Sequence, residues 1–152
     1  MIQLNRHFLI LNRDFMKSIK LSASLENLNR FNAWVRKCAK EYELNLKKTE
    51  RLMVAIEEAL VNIFEYAYPE RRGEVELRCY RGDRGKVIFE IRDSGIPFDP
   101  RLIHDPDTES DMDSRKIGGL GIYLMKKMVD EINYKREGDK NILKLIVFKD
   151  ND

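Results

Sequence analysis

The stretch Glu74-Val-Glu-Leu-Arg-Cys-Tyr-Arg-Gly-Asp-Arg-Gly-Lys-Val-Ile-Phe-Glu-Ile-Arg-Asp93 alternates apolar and polar residues on both sides of a glycine-containing turn. Val75, Leu77 and Cys79 fall on one side of the first arm, with Glu74, Glu76, Arg78 and Tyr80 on the other. Val87, Phe89 and Ile91 alternate in the same way in the second arm. A period of two with one wet face predicts a hairpin of an antiparallel sheet, turning at 81–85.

Upstream the period changes to that of a helix. Leu25, Leu28, Phe31, Val35, Cys38 and Tyr42 follow Ser24, a good N-cap residue, and predict an amphipathic helix over 25–42. Leu52, Ile56, Leu60, Ile63, Phe64 and Ala67 predict a second over 45–67, ended by Pro69 and Gly73. One strand, over 14–23, precedes both helices. Downstream come a helix over 119–131, with Leu120, Ile122, Leu124, Met125, Met128 and Val129 on a broad buried surface, and a second hairpin of 132–137 and 141–148 turning at Gly138-Asp139. No repeat or linker interrupts the chain. The 152 residues therefore read as one domain with a core over 14–148, of α+β class. Its expected architecture is a two-layer sandwich with a mostly antiparallel sheet of four or five strands and helices on one face.

Composition narrows the function. Twenty-eight basic against 26 acidic residues leave a formal charge of +2, so charge balance gives no reason to expect direct nucleic-acid binding. Cys38 and Cys79 sit in apolar patterns without CxxC spacing and read as reduced core thiols of a cytosolic protein. No apolar run is long enough to span a membrane, and residues 1–15 lack a signal-peptide core, so the expected location is the cytoplasm with no membrane partner. His7 and His104, the two histidines, have no partners at ligand spacing, which excludes a Ser-His-Asp triad or a histidine zinc site.

Three segments carry chemistry. Glu58 and Asn62 stand one turn apart on the second helix and project together. An amide oxygen suits Mg²⁺, and a carboxylate one turn earlier could activate a hydroxyl or water attacking a phosphate. Taken alone, they read first as part of a solvated polar stripe with Glu57 and Glu65. Asp93 continues the inward row of Val87, Phe89 and Ile91, and a carboxylate there requires a partner, such as a ligand amino group. Gly95 permits close backbone approach, and Pro97 stiffens the exit. An Asp-Ser-Gly turn bonded to its own backbone explains that segment equally well. Gly118-Gly119-Leu120-Gly121 opens the last helix, where bare N–H groups and the positive dipole end suit phosphate. All three segments fall within about 65 residues, a span that fits one domain and makes nucleotide binding the leading reading.

Between the second and third segments, 99–117 has no periodicity and reads as a lid. Arg115 and Lys116 stand beside the glycines and are placed nearest the phosphates, while the acids at 105–113 read as solvated. A Rossmann fingerprint fails because Leu124 occupies its third glycine position and no parallel βαβ unit surrounds it. Walker A and eukaryotic-type kinase signatures are absent as well.

These segments resemble those of the GHKL, or Bergerat-fold, ATPases, and in particular the bacterial anti-sigma-factor serine kinases. Ile56-Glu-Glu-Ala-Leu-Val-Asn62 with Tyr66-Ala-Tyr-Pro69 is similar to that family's N-box. Asp93-Ser-Gly-Ile-Pro-Phe-Asp-Pro100 resembles its adenine-reading segment, and Arg115-Lys-Ile-Gly-Gly-Leu-Gly-Ile122 its glycine box. The resemblance runs over 20–148 and implies ATP and Mg²⁺ as cofactors. It implies that Glu58 activates an acceptor serine, Asn62 binds Mg²⁺, Asp93 accepts from adenine N6 and Gly95 shapes the adenine pocket. Gly119 and Gly121 would line the phosphates. It further implies a partner swap, in which a sigma factor is held inactive or a STAS-domain antagonist is phosphorylated, by a homodimer. The alternative within the same fold is a regulatory module that binds ATP and transfers nothing.

Overall fold

The computed structural model describes residues 16–104 and 119–149. Five strands, β1 (Lys17–Ser22), β2 (Glu74–Arg81), β3 (Lys86–Asp93), β4 (Glu131–Glu137) and β5 (Lys140–Phe148), form one sheet. The order is β1-β2-β3-β5-β4, and every neighbouring pair is antiparallel. Among the described residues three α-helices, α1 (Leu28–Glu41), α2 (Leu46–Tyr66) and α3 (Gly119–Met128), complete the α+β sandwich. Both expected hairpins form. The long-range β3–β5 ladder joins them and sets Asp93 opposite Asn141.

The core lies between the helices and one face of the sheet. Phe31 and Val35 of α1, Leu52, Ile56 and Leu60 of α2, and Met125 of α3 pack with Leu77, Phe89, Ile91 and Leu145. Trp34 meets Phe89 edge-on at 6.5 Å, and Phe31 stacks on Phe64 at 6.2 Å. Each large apolar side chain buried here contributes about 1.5–3 kcal/mol. Cys38 and Cys79 are free, buried thiols of this core. No helix among the described residues is long and apolar enough to cross a membrane.

Two boundaries differ from the sequence reading, each for a tertiary reason. Ser24 makes no cap bond, and Leu25–Asn27 forms a 3-10 turn before α1 begins. The Asn27 amide donates to the Ser22 carbonyl and hydroxyl, tying that turn back to β1. By contrast Asn45 caps α2, its Oδ1 accepting from Lys48 N at 2.8 Å. At the other end, α3 stops at Met128 rather than 131, because the sheet claims Asp130. Its N–H donates to the Ile146 carbonyl, and its Oδ2 accepts from Phe148 N. The broad buried surface expected of α3 is narrower too. Ile122 and Met125 are buried, whereas Leu120 is 47% exposed.

Candidate functional site

A cleft of about 610 Å³, counting its open mouth, lies between α2, α3, the end of β3 and the β4–β5 hairpin. Its walls are largely apolar, with Ile63, Ile122, Met125 and Leu143 among them, and Ile96 and Phe98 form an exposed apolar lip. The carboxylate and amide side chains that interrupt this lining are Asp93, Asn141, Glu58 and Asn62.

Asp93 occupies the last inward position of β3 and is 6% exposed. Its Oδ1 accepts from Gly95 N at 2.8 Å and from Asn141 Nδ2 at 2.9 Å. The self-bonded turn therefore accounts for one oxygen. Oδ2 has no hydrogen-bond partner among the described residues, so the carboxylate keeps acceptor capacity for a ligand N–H.

Gly95 does not line the cleft; it positions the loop that does. A Cβ there would lie 2.4 Å from the Ala67 carbonyl oxygen and 2.5 Å from Ala67 Cβ. Only glycine lets this loop ride over the end of α2, where Ile96 N donates to the same carbonyl at 3.0 Å. Arg136 Nη1 holds the Gly95 carbonyl at 2.8 Å. Ser94 is held from three sides: its N–H donates to the Tyr68 hydroxyl, Arg71 donates to its carbonyl, and Lys140 donates to its Oγ.

Glu58 and Asn62 both face the cleft, as their spacing on one helix requires. Neither has a hydrogen bond or ion pair among the described residues. Burial pushes the Glu58 carboxyl above the usual range, and neighbouring Glu57 pushes it in the same direction. The start of α3 crosses directly over it: a Cβ on Gly121 would lie 2.3 Å from Glu58 Oε2. A larger residue would push the Glu58 carboxylate aside, whereas glycine leaves it beside the N-terminal, positive end of α3.

Gly119 is the first residue of α3. Leu120 lines an adjoining groove with Glu58, Val61 and Leu124 rather than the main cleft. Arg115, Lys116 and Gly118, with the lid over 105–117, lie outside the described residues. No cluster of three His, Cys, Asp or Glu side chains suited to a metal occurs among the described residues. Asn62 supplies a single amide oxygen, which fits a Mg²⁺ that draws its other ligands from phosphates and water.

The sequence reading missed Asn141. This buried amide donates from Nδ2 to Asp93 Oδ1 and to the Ile96 carbonyl, the latter at 2.9 Å. Its Oδ1 accepts from the Tyr134 hydroxyl at 2.5 Å and from Phe98 N at 3.3 Å. The available signal was parity, since Asn141 extends the inward row of Leu143, Leu145 and Val147.

Comparison with known proteins places the chain in a family and supports its fold. The family model of the histidine kinase-like ATPase domain matches residues 21–147. The serine-protein kinase RsbW of Bacillus subtilis (strain 168) is 30% identical over 125 residues, covering 80% of this chain and 78% of that protein. The serine/threonine-protein kinase BtrW of Bordetella bronchiseptica is 26% identical over 129 residues, covering 84% of this chain and 90% of that one. RsbW of Bacillus licheniformis is 36% identical over 92 residues; that match spans 55% of this chain and 54% of the relative. Among solved structures, the crystal structure of the RsbU and RsbW domains of Rv1364c from Mycobacterium tuberculosis superposes with a TM-score of 0.64 at 15% identity. It covers 90% of this chain and 33% of that one, and carries the likeness of fold. The chain belongs to the histidine kinase-like ATPase domain family, among the relatives of the RsbW serine-protein kinases.

Proposed function

We propose that this protein is an ATP-dependent protein-serine kinase that phosphorylates a STAS-domain antagonist and otherwise holds a sigma factor inactive, acting as a cytoplasmic homodimer. One observation carries the kinase reading: Asp93, Glu58 and Asn62 face a single cleft, and the latter two are without partners among the described residues. Asp93 Oδ2 accepts from the exocyclic amino group of adenine, while the apolar walls take the faces of the base. Glu58 takes the proton of the acceptor serine hydroxyl, a task suited to a carboxylate whose proton affinity is raised by burial. Backbone N–H groups at the start of α3, from Gly119, Leu120 and Gly121, would bind the phosphates, with Gly118, Arg115 and Lys116 as the further contacts expected from the sequence. Mg²⁺, when bound with the nucleotide, neutralises phosphate charge, and Asn62 would be its protein ligand.

The names of the relatives support phosphotransfer to serine. The test is incubation with labelled ATP, Mg²⁺ and the STAS-domain protein encoded nearest to it, comparing wild type with Glu58→Ala and Asn62→Ala. Serine labelling is expected in wild type and in neither variant, with ATP still bound by Glu58→Ala. Wild type that binds ATP but labels no verified partner would instead identify a regulatory binding module.

A further inference from the structure

We propose that the sheet face turned away from the helices carries a docking groove for an acidic segment of a partner protein, and that filling it weakens nucleotide binding in the cleft. The groove runs from β1 across β2 and β3 to the Ser94 loop and encloses about 980 Å³ with its mouth. Six cations, Lys20, Arg71, Arg72, Arg78, Arg92 and Lys140, line it against two carboxylates, Glu74 and Glu76. The lining is thus locally cationic in a chain whose net charge is only +2.

Two of these cations are neutralised from within. Arg78 Nε meets Glu76 Oε1 at 2.6 Å, and Arg92 Nη1 meets Glu90 Oε1 at 2.6 Å. Burial pushes the Glu90 carboxyl up, but hydrogen bonds from Tyr80 and Arg92 outweigh it and hold the group below the usual range, so it remains an anion. The other four, Lys20, Arg71, Arg72 and Lys140, have no carboxylate partner among the described residues. Unpaired like charges gathered in a concave surface favour an anionic occupant.

The lining selects the kind of anion. A nucleic-acid strand presents a continuous row of phosphates and would be repelled by Glu74 and Glu76 in the groove. It would also find no free aromatic platform, because the Tyr68 ring lies under Arg71 at 5.3 Å and its hydroxyl is engaged by Ser94 N and the Glu74 carbonyl. An acidic peptide carries discrete carboxylates for the unpaired cations and its own N–H groups for Glu74 and Glu76. It complements a mixed lining of this kind.

Coupling follows from where two of the cations are already employed. Arg71 Nη2 donates to the Ser94 carbonyl at 2.6 Å, and Lys140 Nζ donates to Ser94 Oγ at 2.5 Å. Ser94 lies between Asp93 and Gly95, so a carboxylate that draws either cation away loosens the loop holding the adenine acceptor. By linkage, nucleotide in the cleft must weaken the peptide by the same factor. The docking claim is independent of the nucleotide reading; the coupling claim rests on it.

The experiment uses the full chain and a fluorescein-labelled decamer of glutamate, followed by anisotropy at low and physiological salt. Binding is expected, and Arg72→Glu combined with Lys20→Gln should weaken it about tenfold. Lys47→Glu, on exposed α2 surface, should leave it unchanged. Saturating ATP with Mg²⁺ should weaken the peptide about fivefold, within the usual range of coupling. The docking claim is overturned if the double variant binds normally, or if an oligothymidylate or inorganic phosphate displaces the peptide at lower concentration than unlabelled glutamate decamer. If ATP binds but leaves peptide affinity unchanged, the coupling claim is overturned and docking stands. If ATP does not bind, both the nucleotide reading and the coupling fail, while the charge variants still decide docking.

Discussion

Asn141 faces Asp93 across the β3–β5 ladder, and its Nδ2 donates to Asp93 Oδ1 over 2.9 Å. The same amide nitrogen holds the Ile96 carbonyl, while the Tyr134 hydroxyl and Phe98 N bond its oxygen. One side chain thus fixes both the carboxylate and the loop leading away from it. Saturating one oxygen of Asp93 with protein donors leaves the other for a ligand.

Asn141→Ala should therefore be costly in two ways. It strips a partner from the buried Asp93 carboxylate and from three part-buried groups, the Ile96 carbonyl, the Tyr134 hydroxyl and Phe98 N. A buried group left unsatisfied costs about 1–3 kcal/mol. Urea denaturation should show a loss of about 2 kcal/mol or more, accompanied by weaker ATP binding. Tyr134→Phe removes one bond to the same amide and should cost about 1 kcal/mol. An unchanged denaturation midpoint for Asn141→Ala would contradict the network.

Gly95→Ala should separate loop geometry from global stability. Its Cβ meets backbone of Ala67, which cannot swing aside as a flexible side chain would. ATP affinity should fall at least about tenfold, consistent with displacement of a charged hydrogen bond, while circular dichroism stays native. Gly138→Ala is the control: nothing lies within 4 Å of its Cβ, and only its φ of +58° resists substitution. That change should cost about 1 kcal/mol and leave ATP affinity as it was.

The pH dependence follows from Glu58, whose carboxyl is raised by burial and then by Glu57. A carboxyl with a folded value above its unfolded one binds more protons when folded, so its contribution to stability is full below the ordinary glutamate value. It is lost as pH rises through the raised folded value. Glu58→Gln should match wild-type stability at low pH and exceed it above that window. The proposed phosphotransfer uses the deprotonated group, so activity should fall as pH drops through the raised value, and Glu57→Gln should move that acid limb to lower pH. An acid limb unmoved by Glu57→Gln would contradict this origin of the shift.

Legibility in the sequence followed the range of the interactions. Period-two alternation predicted the first hairpin and put Asp93 on the inward row, because side-chain direction in a strand is local information. Helical spacing put Glu58 and Asn62 together for the same reason. Ser24 failed as a cap because Asn27 bonds back to β1, a contact absent from any helix propensity. Asn141 escaped notice because 48 residues separate it from Asp93, and only sheet register brings them together. Leu120 looked like core because helical periodicity identifies an apolar stripe without saying which part of it the cleft leaves open.

The most direct test of the account is the affinity for ATP and for GTP of wild type and Asp93→Asn, measured by calorimetry with Mg²⁺ present. Guanine offers a carbonyl where adenine offers an amino group, and a carboxylate can only accept. Wild type should prefer ATP by about tenfold or more, and Asp93→Asn should lose that preference through weaker ATP binding. Undiminished ATP affinity in a folded Asp93→Asn protein would contradict the account at its centre.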